Sequence, residues 1–225
     1  MRALLNLRYT VPERRTAFEK GLKRIGDPEV YVTWNRIGAA DRTAKEYEAF
    51  GLPVIVAENA AWGNDFAGRQ WYSLALGMHN TAGRFQVGDS DRFDRLGVEL
   101  LPWRSGGERV VLPQRGIGPA GIAMPRDWPA QQRGRIRVHP GTRACTPLEQ
   151  DLADAGEVVT WGSGAAVKAL MWGIKVESHM PNWIAAQDNT DAGRLEMFRR
   201  LAWAQWELTE IENGTAFERL LFHSV

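Results

Sequence analysis

The chain has 225 residues, enough for one large domain or two small ones, and its 44% hydrophobic and 24% charged content is typical of soluble globular proteins. No uncharged apolar run reaches the ~20 residues that span a bilayer, and the first residues lack the pattern of a signal peptide. The single cysteine, Cys145, excludes an internal disulfide, and the net charge of +1 argues neither for nor against a polyanionic partner. We therefore expect a cytoplasmic protein with no membrane partner.

Strand-like and helical runs alternate at the start of the chain. They lie, in chain order, at residues 3–9, 12–26, 29–35, 41–51 and 52–59. Pro12 and Gly26 are expected to bound the first helix, and Asp41 and Gly51 the second, because proline and aspartate favour helix starts and glycine favours helix ends. This alternation predicts a parallel sheet covered by helices.

The segment after Asn59 is irregular and rich in glycine, asparagine, aspartate and aromatic residues, with one strand-like run at residues 71–76. A long irregular segment inside a compact domain is more often functional than accidental. A run at residues 97–103 closes this half of the chain, and the polar stretch RSGGE at residues 104–108 predicts a linker. We therefore expect an N-terminal lobe over residues 1–106.

The second half has the pattern of a βαβαβ unit, which predicts a C-terminal lobe over residues 107–190. Its strand-like runs lie at residues 109–114, 135–138, 157–161 and 174–178, and its helical runs at residues 147–155 and 163–172. Thr146 and Glu149 have the spacing of a capping box for the first of these helices, and Gly156 is expected to end it.

The tail over residues 191–225 has apolar residues at helical spacing. Thr209 and Glu212 have the spacing of a second capping box. We therefore expect two consecutive helices here, packing back against the first lobe.

Gly162, Ser163 and Gly164 lie where a buried strand turns into a helix. The first turn of a helix has free N–H groups and a partial positive charge, so it attracts anions. The two glycines would let a phosphate approach the N–H groups of Ser163 and Gly164, and the Ser163 hydroxyl would add a hydrogen bond. The structural alternative is a tight turn with Ser163 as a simple N-cap.

Loops after neighbouring strands contain further groups that suit a nucleotide. The carboxyl ends of parallel strands share one edge, where ligands bind, so these groups are expected near the glycine–serine loop. They are His139 and Pro140 after one strand, Gln114, Arg115 and Gly116 after another, and Glu177 in the last. Histidine and arginine suit phosphate, and Glu177 could accept hydrogen bonds from a ribose. The alternative is that they are ordinary strand ends and a surface carboxylate.

The stretch RIRVHPG…TPLEQDLADAGEVVTWGSGAAVKALMWGIKV resembles the nucleotide-binding half of GT-B glycosyltransferases. It is most similar to the branch of capsule-polysaccharide transferases and bacterial sialyltransferases. In that branch an HP motif and a serine loop contact the donor phosphates. His139-Pro140 and Gly162-Ser163-Gly164 occupy those places, although sialyltransferase-like members have paired serines.

The resemblance implies an α/β fold of compact GT-B type, with two small Rossmann-like lobes that each contain a parallel sheet. It also implies transfer of a sugar from a nucleotide sugar, such as a UDP-sugar, to a hydroxyl, with no metal and no further cofactor. The N-terminal lobe would then be the acceptor side and the C-terminal lobe the donor side.

The whole chain, including ENAAWGND, LPQRGIGPAG and MFRRLAWAQWEL, also resembles uncharacterised phage-encoded proteins. This likeness implies an enzyme of the host cytoplasm that decorates hydroxymethylated bases in phage DNA, which it would have to expose by flipping. A DNA acceptor predicts a positive rim. The candidate arginines are Arg84, Arg92, Arg95, Arg104, Arg115 and Arg143.

A transfer of this kind needs a general base within reach of the acceptor hydroxyl. The candidates in the irregular segment are Glu58, Asp65 and His79, and the first two closely follow a predicted strand. Each also has a structural alternative: Glu58 could cap a loop, Asp65 could anchor an Asx-turn, and His79 could be a turn histidine.

Three alternatives belong to other classes. GIGPAG at residues 116–121 matches the dinucleotide pattern G-x-G-x-x-G, but Pro119 disfavours the helix that such a site requires. Asp89 and Asp91 resemble the metal-binding D-x-D of GT-A transferases. The third alternative is a non-catalytic nucleotide- or sugar-binding module of a phage, and the oligomeric state is open.

Overall fold

The computed structural model describes residues 3–7, 12–78, 82–139 and 146–223. The chain divides into two compact units: unit 1 comprises Met1–Arg92 with Arg199–Val225, and unit 2 comprises Phe93–Phe198. The sequence-based boundaries at residues 106 and 190 stay predictions. Within the described residues, no helix has the length and apolar character needed to cross a membrane.

The strands are β1 (Leu4–Asn6), β2 (Tyr31–Trp34), β3 (Val54–Asn59), β4 (Asp65–Phe66), β5 (Arg69–Leu76), β6 (Glu108–Leu112), β7 (Arg135–Ile136), β8 (Ala155–Thr160), β9 (Lys175–Ser178) and β10 (Gln205–Glu207). The helices are α1 (Pro12–Arg24), α2 (Ala39–Ala49), α3 (Asp91–Leu96), α4 (Leu148–Asp151), α5 (Ala165–Met171), α6 (Asp191–Leu201), α7 (Leu208–Glu212) and α8 (Thr215–Phe222). Single 3₁₀ turns lie at Trp128–Gln131 and Ala202–Ala204. The expectation of a mixed α/β protein with parallel strands is confirmed.

The sheet of unit 1 is mixed, so the prediction of a fully parallel sheet there is wrong. Its order is β1-β2-β3-β5-β10, with β4 beside β5; β1, β2 and β3 are parallel, and β5 is antiparallel to β3 and β10. Residues 60–68 are too few for a parallel crossover, which needs a dozen or more residues. Ala67 and Gly68 have φ of 53° and 70°, a two-residue hairpin turn that reverses the chain.

The two faces of this sheet are covered by different helices. On one face Phe18 of α1 packs with Ile55, Tyr72 and Phe217, and on the other Ala44 of α2 packs with Val56. The C-terminal helices α7 and α8 contact α1 on the first face. α1 and α7 approach so closely that a Cβ at residue 21, which is glycine, would lie 1.9 Å from the carbonyl oxygen of Ile211.

The sheet of unit 2 is entirely parallel, in the order β7-β6-β8-β9. Its strands fall where the sequence predicts them, and α5 connects β8 to β9. The core of the sheet is formed by valines such as Val110, Val111, Val158 and Val159, all fully buried. Nearly continuous apolar runs of this kind are expected for parallel strands that are covered on both faces.

Three predicted helix signals are displaced in the structure. α2 begins after Gly38, so Asp41 is not its N-cap and instead pairs with Arg36 and Lys45. α4 is only four residues long and has no side-chain cap, so the predicted box of Thr146 and Glu149 does not form. Gly156 belongs to β8, where a Cβ would lie 1.8 Å from the carbonyl oxygen of Gly106, so close packing against the segment before β6 explains this glycine.

The predicted second capping box is also displaced. Glu207 and Glu210 form it at the start of α7, in place of Thr209 and Glu212, because β10 ends at Glu207 and the helix begins there. The described residues form no strand over 97–103; this segment is instead held by the Leu101 N–H, which donates to the carbonyl of Met171.

Candidate functional site

The connections of the parallel sheet in unit 2 diverge at one point. β6 leads to β7 on one side, whereas β8 leads to β9 on the other. The loops after β6 and β8 therefore leave adjacent strands in opposite directions, and open α/β sheets bind ligands at such a point, beyond the carboxyl ends of the strands. Residues 113–116 and 161–164 form these two loops, and residues 137–139 follow β7 at the same edge.

The loop after β6 contains three of the predicted donor-binding residues. The Gln114 N–H is 3.3 Å from Sδ of Met124, which fixes the start of the loop, and Gly116 has φ of 64°. The Arg115 side chain is exposed. The carbonyl of Pro119 accepts from the N–H groups of Ile122 and Ala123, so GIGPAG forms a turn and no helix begins there.

His139, in the loop after β7, lies near two arginines. Burial lowers its pKa below the usual value of 6.5, and the positive charges of Arg115 and Arg137 lower that pKa further. Charges act on a pKa in this way only at short range, so the loops after β6 and β7 converge here. The lowered pKa favours the neutral form of His139, and Arg137 pairs with Asp151. Pro140 lies outside the described residues.

Ser163 is a well-anchored residue of the loop after β8. Its N–H donates to Oγ1 of Thr160 at 2.9 Å, and its own Oγ accepts from the N–H of Ala165 at 3.3 Å. The Ser163 N–H is thus already bonded within the protein, and its use for a phosphate stays a prediction. The hydroxyl hydrogen is the donor that Ser163 can still offer to a ligand.

The two glycines beside Ser163 have different surroundings. A Cβ at Gly162 would lie 2.8 Å from Sδ of Met180 and 3.1 Å from Cδ1 of Trp183, so packing requires a glycine at this position. At Gly164 nothing lies within 4 Å of a Cβ. The open side of the loop, and hence the room for a ligand, is at Gly164.

Glu177 is paired within the protein. Its Oε2 accepts from Nη2 of Arg109 at 2.7 Å and its Oε1 lies 2.7 Å from Nε2 of His179. These two contacts lower the pKa of Glu177, with Arg109 as the larger cause. A carboxylate oxygen can accept more than one hydrogen bond, so a ribose hydroxyl would share Glu177 with these partners.

Two residues at this edge were missed by the sequence reasoning. The Trp128 indole N–H donates to Nδ1 of His179 at 3.1 Å, which leaves the ring hydrogen on Nε2, facing Glu177. His179 directly follows β9, so its position after a predicted strand could have identified it as a candidate site residue. Trp128 belongs to a 3₁₀ turn that is distant in sequence, and nothing in its local sequence pairs it with His179.

The candidate bases lie in unit 1. Glu58 is half-buried in β3 opposite Ser73, and Asp65 is exposed in β4 opposite Gln70. Ser73 and Gln70 are an odd number of residues apart in β5, so the two carboxylates project to opposite faces of the sheet. They do not form a carboxylate pair. His79 lies outside the described residues.

Asp89 and Asp91 belong to a segment that is anchored by Trp203. The Trp203 indole donates to the carbonyl of Asp89 at 2.9 Å, and a Cβ at Gly88 would lie 2.3 Å from the Trp203 ring. Asp91 is the first residue of α3. Across the ranges that the structure describes, no three His, Cys, Asp or Glu side chains group closely enough to hold a metal ion.

The six arginines considered for a DNA contact have different surroundings. Arg92 is buried against Glu210, and Arg104 donates to the carbonyls of Leu152, Ala153 and Ala155. These two arginines are committed to internal contacts. Arg84, Arg95 and Arg115 are exposed, and Arg143 lies outside the described residues.

The support for a proposed function comes from the residues of this chain. No protein-family model matches its sequence, and no curated protein matches it either.

Proposed function

We propose that unit 2 binds a nucleotide sugar at the carboxyl ends of β6, β7 and β8, and that the protein transfers the sugar to a hydroxyl acceptor without a metal. The observation that supports this most is the convergence of Arg115 and His139 at the diverging point of a parallel sheet. Such points hold nucleotides in many α/β proteins, and Arg115 adds the positive charge that a diphosphate requires.

In this proposal each loop has a separate task. Arg115 and the Gly164 N–H contact the diphosphate, and the Ser163 hydroxyl donates a further hydrogen bond. His139, whose lowered pKa favours the neutral ring, donates its ring N–H to the leaving diphosphate oxygen without adding a charge. Glu177 accepts from the ribose alongside Arg109.

The acceptor side of the reaction belongs to unit 1. One of Glu58, Asp65 and His79 removes the proton of the acceptor hydroxyl as its oxygen attacks the anomeric carbon and the nucleoside diphosphate departs. A hydroxymethylated base in phage DNA, in the cytoplasm of the host cell, is one acceptor of this chemistry. The resemblance to GT-B transferases and phage proteins supports this part of the proposal.

The test is a thermal-shift panel of nucleotides and nucleotide sugars on the wild type, Ser163→Trp and Ser105→Trp. Ser105 is exposed and precedes β6, so it lies at the opposite, amino-terminal edge of the same sheet. A donor at saturating concentration should raise the Tm of the wild type and Ser105→Trp but not that of Ser163→Trp. If no nucleotide raises the Tm of the wild type, the donor site does not exist.

Binding without turnover would point to the non-catalytic module instead. The stabilising nucleotide sugar is therefore incubated with hydroxymethylated DNA and with simple sugar acceptors, and release of the nucleoside diphosphate is measured. Binding of the nucleotide sugar with no release on any acceptor contradicts the transferase proposal.

A further inference from the structure

Arg14 of unit 1 is a buried guanidinium with no counter-ion among the residues that the structure describes. It lies in the first turn of α1, 6% exposed, and its Nε–H is buried with no hydrogen-bond acceptor in the described part of the chain. Its guanidinium carbon is 4.0 Å from the centre of the Trp34 ring and 4.6 Å from that of the Tyr72 ring. Among the described residues, no carboxylate forms an ion pair with Arg14.

The other buried arginines are paired. Five arginines are buried in the described part of the chain, and four of them contact a carboxylate. These four pairs are Arg36 with Asp41 and Glu48, Arg92 with Glu210, Arg137 with Asp151, and Arg194 with Asp191. The protein therefore neutralises its buried guanidinium groups as a rule, and Arg14 is the exception.

The place of Arg14 in the fold is one where ligands bind. Trp34 is the last residue of β2, and Tyr72 is paired with Asn59, the last residue of β3. α1 follows β1, so its first turn lies at the carboxyl ends of the same three parallel strands. Open sheets bind their ligands beyond this edge.

The charges around Arg14 also favour an anion. A buried cation without a counter-ion is costly, and the partial positive charge at the N-terminus of α1 adds to that cost. The contacts with Trp34 and Tyr72 offset only part of it, since cation–π attraction is weaker than an ion pair at this depth. An oxyanion bound here would interact favourably with both the guanidinium and the helix N-terminus.

We propose that Arg14 anchors an oxyanion-binding site in unit 1, with Trp34 and Tyr72 as its aromatic walls. The ligand is a small molecule, or part of a larger one, that bears a carboxylate or phosphate, because both match the donor edge of a guanidinium. This site is formed by residues of unit 1 alone, and the proposal does not depend on the transfer reaction.

The test measures the Tm of the full chain with millimolar sodium phosphate or sodium acetate, at constant ionic strength set with sodium chloride. At ~100 times its Kd the matching anion should raise the wild-type Tm by about 5 °C or more. Arg14→Met should remove this rise, and Arg14→Lys should weaken the affinity for the anion at least ~10-fold, because lysine keeps the charge but loses the planar donor edge. A response to phosphate alone or to acetate alone identifies the class of ligand.

Arg194→Met is the matched control. Arg194 is 4% exposed, lies 4.0 Å from the Trp103 ring and also has an Nε–H without an acceptor, but it has Asp191 as counter-ion. This variant should lose stability and keep the response to the anion. If Arg14→Met does not fold, as judged by circular dichroism, Arg14→Lys and Trp34→Phe provide the same comparison.

Two results would overturn the proposal. One is a wild-type Tm that responds to neither anion. The other is a response that survives in Arg14→Met; if Ser163→Trp abolishes that response, the anion binds in unit 2 and supports the donor site instead. A response that is lost in Arg14→Met and kept in Ser163→Trp supports the Arg14 site, whatever the outcome for the donor.

Discussion

Arg92 and Glu210 form a two-pronged ion pair inside unit 1. Nη1 and Nη2 of Arg92 donate to the two carboxylate oxygens of Glu210 at 2.7 Å and 2.8 Å. The same guanidinium donates to the carbonyls of Ala202 and Gln205 and lies 4.3 Å from the Trp206 ring. Glu210 also accepts from the N–H of Glu207, so one pair fixes the start of α7 and the end of β10.

Arg92→Met should destabilise the protein by about 3 kcal/mol, because it removes the ion-pair partner of Glu210 and the side-chain donor to the carbonyls of Ala202 and Gln205. The measurement is urea unfolding. Arg95→Met, a change at an exposed arginine of α3, is the control and should stay within about 0.5 kcal/mol of the wild type. Equal effects in the two variants would show that the Arg92 network contributes little.

Gly162→Ala and Gly164→Ala should differ although the two positions are almost adjacent. Gly162→Ala should cost about 1–3 kcal/mol, because the new methyl group would push on Met180 and Trp183. Gly164 has φ of −58° and open space around it, so alanine there should leave stability unchanged or slightly raised. Urea unfolding measures both effects.

Nucleotide affinity should fall in Gly164→Ala if the donor phosphates contact this glycine, and an unchanged affinity would count against that contact.

His139 should make stability depend on pH in a defined window. Burial first, and then Arg115 and Arg137, lower its pKa in the folded state below the value of 6.5 that applies when unfolded. Near and below pH 6.5 the unfolded chain therefore binds more protons than the folded protein does. The contribution of the neutral His139 ring to the free energy of unfolding is complete above pH 6.5 and is lost as the pH falls through the folded pKa. His139→Gln should flatten the pH dependence of unfolding in this window.

Arg115→Met gives a direct check on the convergence of the two loops. Removing a nearby positive charge should raise the pKa of His139, as measured by the chemical shifts of its ring hydrogens during a pH titration. Arg84→Met, at an exposed arginine of unit 1, is the control and should leave this pKa unchanged. An unchanged pKa in Arg115→Met would mean that the two side chains are not neighbours in solution.

The two stacked arginines, Arg14 and Arg194, should respond differently to methionine. Arg194→Met should cost about 2–4 kcal/mol, since it leaves the carbonyl of Leu101 without its side-chain donor, removes one of the hydrogen bonds to the carbonyl of Leu170 and leaves Asp191 without its partner. Arg14→Met should stay within about 1 kcal/mol of the wild type, because the loss of cation–π contacts is offset by removal of an unpaired buried charge. A large loss of stability in Arg14→Met, measured without added anions, would contradict the view of Arg14 as an unpaired ion.

Regular strands were predictable because their side-chain pattern is local. The valine-rich runs of β6 and β8 mark buried parallel strands, and the structure confirms them. The direction of β5 was not predictable in this way, because it depends on a turn at Ala67-Gly68 in which alanine adopts a positive φ that it rarely takes. β10 was missed because its three residues interrupt a helical pattern, and its stability comes from pairing with β5 rather than from its own sequence.

The candidate site was predictable in outline for a related reason. Loops after consecutive parallel strands meet at one edge, so Arg115, His139 and Ser163 could be placed together from the order of the strands. Which donors remain available was not predictable: Thr160 occupies the N–H of Ser163, and packing against Met180 explains Gly162. Such contacts depend on three-dimensional packing, and so does the isolation of Arg14.

The interruption of unit 1 by unit 2 has a consequence for synthesis on the ribosome. Residues 93–198 are continuous, so all four strands of the parallel sheet are available before unit 1 is complete. One edge of β5 stays unpaired until β10 emerges from the ribosome. The face of α1 around Gly21 likewise stays uncovered until α7 has been synthesised. We expect residues 93–198 of the nascent chain to become resistant to protease first. The N-terminal segment, although it is synthesised earlier, should become resistant later, when unit 1 is complete.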